Sequence, residues 1–352
     1  MSQALPMIVA GDPEQYTGGY IYDARIAAAL TEAGCPVERI GLAGRFPEAD
    51  PTAASAMHDA LADLADGTTV IIDGLALGGL PNVIAEHAGR LILVALIHHP
   101  LADESGIDEV LAARLYDSER QALAQVAHVV VTSRFIAQRL IDGYGVAKQR
   151  LDIVEPGLDK PSTARRPDAA VPRLLCVASL IPRKGHTILI DALARIAKQH
   201  WHCDCIGDLD RDPDCVAEAR RAIAAHQLNE RIELLGSRPP ASLSAAYQSA
   251  HLFVLPSYYE GYGMVITEAL AHGLPVVTTT GGALADTLPN DAGIAVPPGD
   301  AQALADALQY LLSDAAAYAE LAAGARRAGQ TLPGWSDAGQ RFAAVLNRMA
   351  TT

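Results

Sequence analysis

The sequence predicts an α/β protein built from two doubly wound domains in tandem, and three observations carry that expectation. Short apolar runs ending at glycine or proline alternate with Ala/Leu-rich helical stretches along most of the chain. Half of the residues are hydrophobic and only 5% aromatic, the profile of central strands covered by helices on both faces. The 352 residues exceed one comfortable core and suit two of ordinary size.

Residues 6–10 (PMIVA) read as a buried strand leaving at Gly11-Asp12. Thr17-Gly18-Gly19 then opens a helix, Tyr20 to Ala33, closed by Gly34, which completes a strand–glycine loop–helix unit. Val70 to Asp73 and Leu91 to Ile97 are further strands, the second followed by His98-His99-Pro100. A helix over Val110 to Val126 precedes strands at His128 to Thr132 and Leu151 to Glu155. A Pro/Arg/Ala stretch at 161–172 reads as the linker, dividing a first domain (1–165) from a second (166–334). The second series has strands at Leu174 to Ala178, Cys203 to Ile206, Arg231 to Leu235, His251 to Leu255 and Pro275 to Thr279. A helix runs from Gly185 to about Gln199, and a last one from Trp335 to Met349. Two such domains bind ligands where their strand carboxyl ends face each other across a cleft.

The formal charge is −14, and over residues 1–165 there are 12 Lys and Arg against 22 Asp and Glu, a balance of −10. Such a surface argues against a nucleic-acid partner and against anionic lipid, both of which call for clustered cations. Five irregularly spaced cysteines imply no disulfide framework and fit a reducing cytoplasm. Met1 to Gly11 lacks the basic start of a signal peptide, and the longest apolar run, Leu91 to Ile97, falls far short of a membrane span, so the expected membrane contact is at most peripheral.

The chemistry concentrates in Leu255-Pro256-Ser257-Tyr258-Tyr259-Glu260-Gly261-Tyr262-Gly263-Met264 and the VITEALAHGLPVV that follows. A strand ends at Pro256, a glycine-interrupted loop carries Glu260, and a helix from about Met264 to His272 is capped by Gly273. The exposed amides at that helix start suit anionic oxygens. Glu268 lies about one turn inside, ~6 Å along the axis at ~1.5 Å per residue. Arg183 and Lys184 place two adjacent cations at a strand-to-helix turn, suited to diphosphate oxygens. His200, His202, Cys203, Cys205, Asp208, Asp210, Asp212, Asp214 and Cys215 imitate a metal cluster. Cys203 and Cys205 alternate toward one face of a strand, however, and Asp212-Pro213 reads as a helix cap and first helical residue, so no metal site is expected.

The run from LPS through the two glutamates to EALAHGLPVV resembles glycosyltransferase family 4, whose members have the GT-B fold of two Rossmann-like domains. VASLIPRKG (177–185) resembles the family's basic phosphate-binding loop, with Ser179 standing where an arginine is common. Leu234 to Arg238, including Gly236 and Arg238, resembles the segment at the nucleotide base. Gly281-Gly282 resembles a later glycine pair, and Thr17-Gly18-Gly19 the amino-terminal glycine loop that lies against the donor diphosphate and the acceptor. Trp335-Ser336 and the last helix (335–352) resemble the segment that crosses back to the first domain. The likeness is strong over 174–310 and weak over 35–90, where an acceptor would be recognised.

The resemblance implies retaining transfer of a hexose-type sugar from a nucleotide-diphosphate sugar, without metal or other cofactor. The acceptor, a small molecule, glycan or lipid, would meet the first domain. Lys184 and Arg183 would hold the diphosphate and Glu268 the ribose hydroxyls. Glu260 and the amides of Gly261, Tyr262, Gly263, Met264 and Val265 would hold the donor sugar and phosphates, and His98 or His99 would hydrogen-bond the sugar, with His98 favoured. Three other readings are a GT-B-type sugar epimerase or phosphorylase, a nucleotide-sugar-binding protein without activity (motivated by Ser179), and a dinucleotide oxidoreductase. No G-x-G-x-x-G follows any strand read here, which speaks against the last.

Overall fold

A computed structural model describes residues 4–15, 17–161 and 171–350. The chain divides into two compact units, one of residues 1–157 with 333–352 and the other of residues 158–332. The stretch read as the linker, 161–172, lies largely outside the described residues.

The first unit runs β1 (Leu5–Ala10), α1 (Gly18–Glu32), β2 (Val37–Leu42), α2 (Pro51–Ala62), β3 (Thr69–Asp73), α3 (Gly74–Leu77) and α4 (Pro81–Ala88). It continues with β4 (Ile92–Ile97), α5 (Glu109–Gln125), β5 (His128–Val131), α6 (Arg134–Tyr144) and β6 (Leu151–Ile153). Its sheet is parallel, in the order β2-β1-β3-β4-β5-β6. The order reverses between β1 and β3, and the crevice beyond the carboxyl ends there is where doubly wound sheets bind ligands. Met7, Ile8, Ile71, Ile72, Val94 and Leu96 are fully buried, as expected of strands covered on both faces.

The second unit runs β7 (Arg173–Val177), α7 (His186–Arg195), β8 (His202–Ile206), α8 (Pro213–Ala225), β9 (Ile232–Leu234), α9 (Pro240–Ser249) and β10 (Leu252–Leu255). Then come α10 (Met264–Ala271), β11 (Val276–Thr279), α11 (Leu284–Thr287), β12 (Gly293–Val296), α12 (Ala301–Ser313) and α13 (Ala315–Thr331). The parallel order β12-β11-β10-β7-β8-β9 reverses between β7 and β10. Successive strand residues divide between two cores: Leu174, Cys176, Cys203, Cys205 and Val254 pack on one face, Leu175, Val177, Phe253 and Leu255 on the other.

The last helix, α14 (Trp335–Ala350), returns to the first unit and packs along α1. Gly339 permits the approach, since a Cβ there would stand 2.6 Å from the Ala29 backbone. The Trp335 ring meets the Tyr22 ring edge-on at 5.7 Å and carries the Arg25 guanidinium at 5.6 Å.

Two strands differ from the sequence expectation by being present at all. β2 (VERIGL) is half exposed at the sheet edge, and its two charges break the apolar run. β12 (GIAV) is likewise a short edge strand. Within the Cys/Asp run, Cys203 and Cys205 lie in the core, and Asp212 caps α8 by accepting the Cys215 amide at 2.9 Å, with Pro213 in the first turn.

Candidate functional site

In the second unit most of the side chains singled out in the sequence gather at the β7/β10 reversal. β7 leaves through Ala178 and Ser179, passes one 3-10 turn, Pro182–Lys184, and reverses at Gly185, φ +67°. A Cβ at Gly185 would meet the Pro256 carbonyl oxygen at 2.3 Å, so the basic loop lies directly on the exit of β10. That contact brings Arg183 and Lys184 beside Glu260.

Glu260 is buried and held by three side chains. Lys184 Nζ donates to Oε1 at 2.5 Å, Ser257 Oγ to Oε1 at 2.7 Å, and Arg183 Nη1 reaches Oε2 at 3.3 Å while also donating to the Tyr259 carbonyl at 2.8 Å. Burial works to raise its pKa, but the charges of Lys184 and Arg183 outweigh it and hold the carboxyl at about 2. Glu260 is therefore a fixed anion, a poor proton acceptor and a firm anchor for two cations. Gly281 and Gly282 explain themselves here: a Cβ on either would collide with the Tyr258 or Glu260 carbonyl oxygen at 2.2 and 2.3 Å, and the Ala283 amide donates to the Glu260 carbonyl at 2.8 Å.

Gly261, Tyr262 and Gly263 lead into α10. Gly263 is the N-cap at φ +91° and offers no side chain to the amides of the first turn, where Met264 and Val265 stand partly exposed. Two cations converge with Glu260 beside this uncapped helix start, a combination suited to a multiply charged anion. Glu268, one turn along α10, accepts the Tyr247 hydroxyl at 2.7 Å. Burial raises its pKa to about 7 despite that hydrogen bond, with Asp159 adding to the rise. Tyr247 in turn stacks on His272, centroids 4.9 Å apart.

Ser179 is partly exposed at the end of β7, where Gly207 lets β8 leave close by; a Cβ on Gly207 would overlap the Ala178 carbonyl oxygen at 1.9 Å. Gly236, φ +68°, accepts the Gly207 amide at 3.2 Å, and Arg238 beyond it is exposed.

In the first unit, Gly18 and Gly19 form the start of α1, and Thr17 makes no side-chain cap. A Cβ on Gly19 would stand 3.2 Å from Cδ2 of the His98 ring. The two adjacent histidines separate: His98 Nε2 lies 2.9 Å from Asp23 Oδ1 and 3.5 Å from Asp73 Oδ2, whereas His99 Nε2 turns to Glu104 at 3.4 Å. Asp23, Asp73 and Tyr247 escaped the sequence reading of the site, and Ser257 entered it only as part of the run after β10, with no partner assigned. A lone Asp in a helix or at a strand end carries no pattern, and only the fold brings the first two onto one ring.

Two family models cover most of the chain: residues 8–157 match the glycosyl transferase 4-like domain and residues 171–314 match glycosyl transferases group 1. The chain belongs to glycosyltransferase family 4. Among curated relatives of this family 4 chain, the D-inositol 3-phosphate glycosyltransferase of Corynebacterium aurimucosum is 29% identical over 259 residues, 68% of this chain and 59% of the relative. The alignments span about half to two thirds of the length of the curated relatives it matches, 47% to 65% in the first three. The fold is GT-B, shared with sucrose-phosphate synthase from Thermosynechococcus elongatus at TM-score 0.81 and 22% identity, over 99% of both chains. Anabaena HepE in complex with UDP-glucose superposes at TM-score 0.74 and 20% identity, covering 98% of this chain and 100% of that one. Among the described residues, no helix of this family 4 protein is long and apolar enough to cross a membrane.

Proposed function

We propose that this family 4 protein transfers a hexose-type sugar from a nucleotide-diphosphate sugar to a hydroxyl-bearing acceptor, with retention at the anomeric carbon and without a metal. The observation that carries the proposal is the Arg183–Lys184–Glu260 constellation beside the uncapped start of α10. Two fixed cations and a helix terminus supply the charge that a departing diphosphate requires, the preorganised stabilisation that contributes most to such reactions. Support for the donor class comes from HepE, a fold relative whose structure holds UDP-glucose.

In this reading the C1–O bond to the diphosphate breaks with its electron pair going to the phosphate oxygen. The acceptor oxygen bonds to C1 on the same face, and its proton passes to the departing phosphate. Lys184 and Arg183 neutralise the growing charge, Glu268 accepts the ribose hydroxyls, and the amides of Gly261 to Val265 hold phosphate and sugar oxygens. Glu260, ionised down to about pH 2, is suited to orient cations and sugar hydroxyls and not to attack C1. Gly236 and Arg238 are assigned to the base. His98 is assigned to a sugar hydroxyl, its substitution being expected to slow turnover more than it weakens donor binding.

The test is transfer from UDP-, GDP- and ADP-glucose or mannose to a panel of small-molecule, glycan and lipid acceptors, with the new anomeric proton read by NMR. An α-linked product from an α-donor supports the proposal, and a β-linked product contradicts retention. A second reading, a nucleotide-sugar-binding protein without transfer, is favoured by Ser179 in place of an arginine. Nucleotide-sugar binding with no transfer to any acceptor in the panel would select it.

A further inference from the structure

The first unit buries three titratable side chains together at its own strand reversal, and the donor site accounts for none of their arrangement. Asp23 lies on α1, Asp73 ends β3, and His98 follows β4, so three separate elements converge on one imidazole. The carboxylates are 3% and 7% exposed at their side chains, while His98 keeps 19%. Both carboxylates address the same ring nitrogen, Nε2. Gly19 flanks Cδ2, and the Tyr22 ring meets the imidazole edge-on at 5.1 Å, which fixes the ring plane. Tyr22 is itself anchored by its hydroxyl to the Val154 carbonyl at 2.8 Å, and Thr132 Oγ1 approaches the His98 carbonyl at 3.4 Å.

Burying two carboxylates and an imidazole costs several kcal/mol unless each is paired, so a fold that needed only packing would place apolar residues there. Burial works to lower the His98 pKa, but the charge and hydrogen bond of Asp23, with Asp73 behind it, reverse the shift upward. Burial, then the charge of Asp23, raises Asp73 to about 7, although His98 pulls the other way. Among the described residues, Glu119 on α5, raised by burial to about 8, is a further carboxyl that feels Asp73, while His99 faces Glu104 instead.

We propose that Asp23 and Asp73 are positioning residues that clamp His98 through Nε2 and thereby present its Nδ1–H, as a charged donor, to a carbohydrate hydroxyl. Carboxylates at Nε2 hold a proton there, so Nδ1 donates only in the imidazolium that the two carboxylates favour, and a neutral ring would keep Nε2–H and leave Nδ1 able only to accept. Only the identity of the ligand as a carbohydrate rests on the transferase reading; the clamp itself does not.

The experiment is nitrogen-15 NMR of histidine-labelled full-length protein, with the His98 signals assigned by their loss in His98→Gln. At pH 7 both ring nitrogens should carry the shifts of an imidazolium, with a titration midpoint above the ordinary 6.5. Asp23→Asn should lower that midpoint by about one unit or more, and Asp73→Asn by less, following the 2.9 and 3.5 Å separations. A neutral His98 with unprotonated Nδ1 in the wild type at pH 7 would overturn the clamp, and that measurement requires no variant to fold. An Asp23→Asn midpoint equal to wild type, at unchanged melting temperature, would overturn it as well. Manganese broadening of the His98 signals at micromolar ion, reversed by EDTA, would replace the clamp with a cation site. In turnover, Asp23→Asn should cost about tenfold in kcat and shift the alkaline limb of the pH profile downward, with donor Kd within twofold. Failure of any nucleotide to bind would sink the transferase reading and leave the NMR result to decide the clamp alone.

Discussion

Two glutamates eight residues apart show how environment divides one residue type into two roles. Glu260 is paired with Lys184, Arg183 and Ser257 and stays ionised to about pH 2, whereas Glu268, which accepts the Tyr247 hydroxyl, is raised by burial to about 7. If ionised Glu268 accepts ribose hydroxyls, nucleotide affinity falls as pH drops below 7, because protonation turns an acceptor oxygen into a donor. Calorimetry of UDP binding between pH 8 and 6 should show weakening of up to tenfold per unit below the pKa. In Glu268→Gln the affinity should be lower at pH 8 and the slope reduced to the contribution of the phosphate itself. Lys184→Ala should weaken UDP binding by ~10- to 150-fold, the worth of a charge-assisted hydrogen bond of roughly 1.5–3 kcal/mol. The placement of Glu260, Arg183 and Lys184 in loops at strand ends and of Glu268 one turn into α10 was legible from strand-end and helix-start signals, whereas the roles expected of them came from the family resemblance. Asp23 and Asp73 were not legible, since their meaning depends on pairing through space across 75 and 25 residues from His98.

Elements deliver these residues through glycines that no side chain could replace. Gly185 presses the basic loop onto Pro256, and Gly207 lets β8 leave beneath Ala178 and Ser179. Gly207→Ala places a Cβ 1.9 Å from a backbone oxygen, so the loop must move; thermal denaturation should show a loss of more than ~2 kcal/mol together with weakened nucleotide binding. Gly34→Ala, at φ +91° with open space around it, should cost only the ~1 kcal/mol of a left-handed residue and leave binding unchanged. Buried strands with continuous apolar runs, such as β4 and β10, were visible in the sequence because both faces are covered. The edge strands β2 and β12 were not: an edge needs fewer apolar residues, and Val37–Leu42 carries Glu38 and Arg39. The α10 boundaries were read within a residue, since a glycine at each end marks them.

At the scale of the molecule, buried carboxyls give stability a pH dependence that its net charge of −14 does not reveal. Burial raises Glu119 from an ordinary 4.5 to about 8, against the Leu101 amide that donates to it at 2.9 Å; Asp73 and Glu268 are raised to about 7. Between about pH 4.5 and 8 the folded chain retains protons that the unfolded chain has released, so stability falls as pH rises through that window. Glu260 acts oppositely and only below 4.5, where stability falls as pH drops toward 2. Melting temperatures of Glu119→Gln should exceed wild type at pH 8 and match it at pH 4.5, because the amide oxygen can still accept the Leu101 amide. Equal shifts at both pH values would contradict a protonated Glu119.

The central claim is that the second unit binds a nucleoside diphosphate by its own cations and helix terminus. Titration of the purified protein with UDP, GDP and ADP by calorimetry in EDTA tests it most directly. Micromolar-range binding of one nucleotide, weakened about tenfold or more in Lys184→Ala and in Glu268→Ala, is the predicted result. Absence of binding by all three in EDTA, or binding that the two variants leave intact, would contradict it.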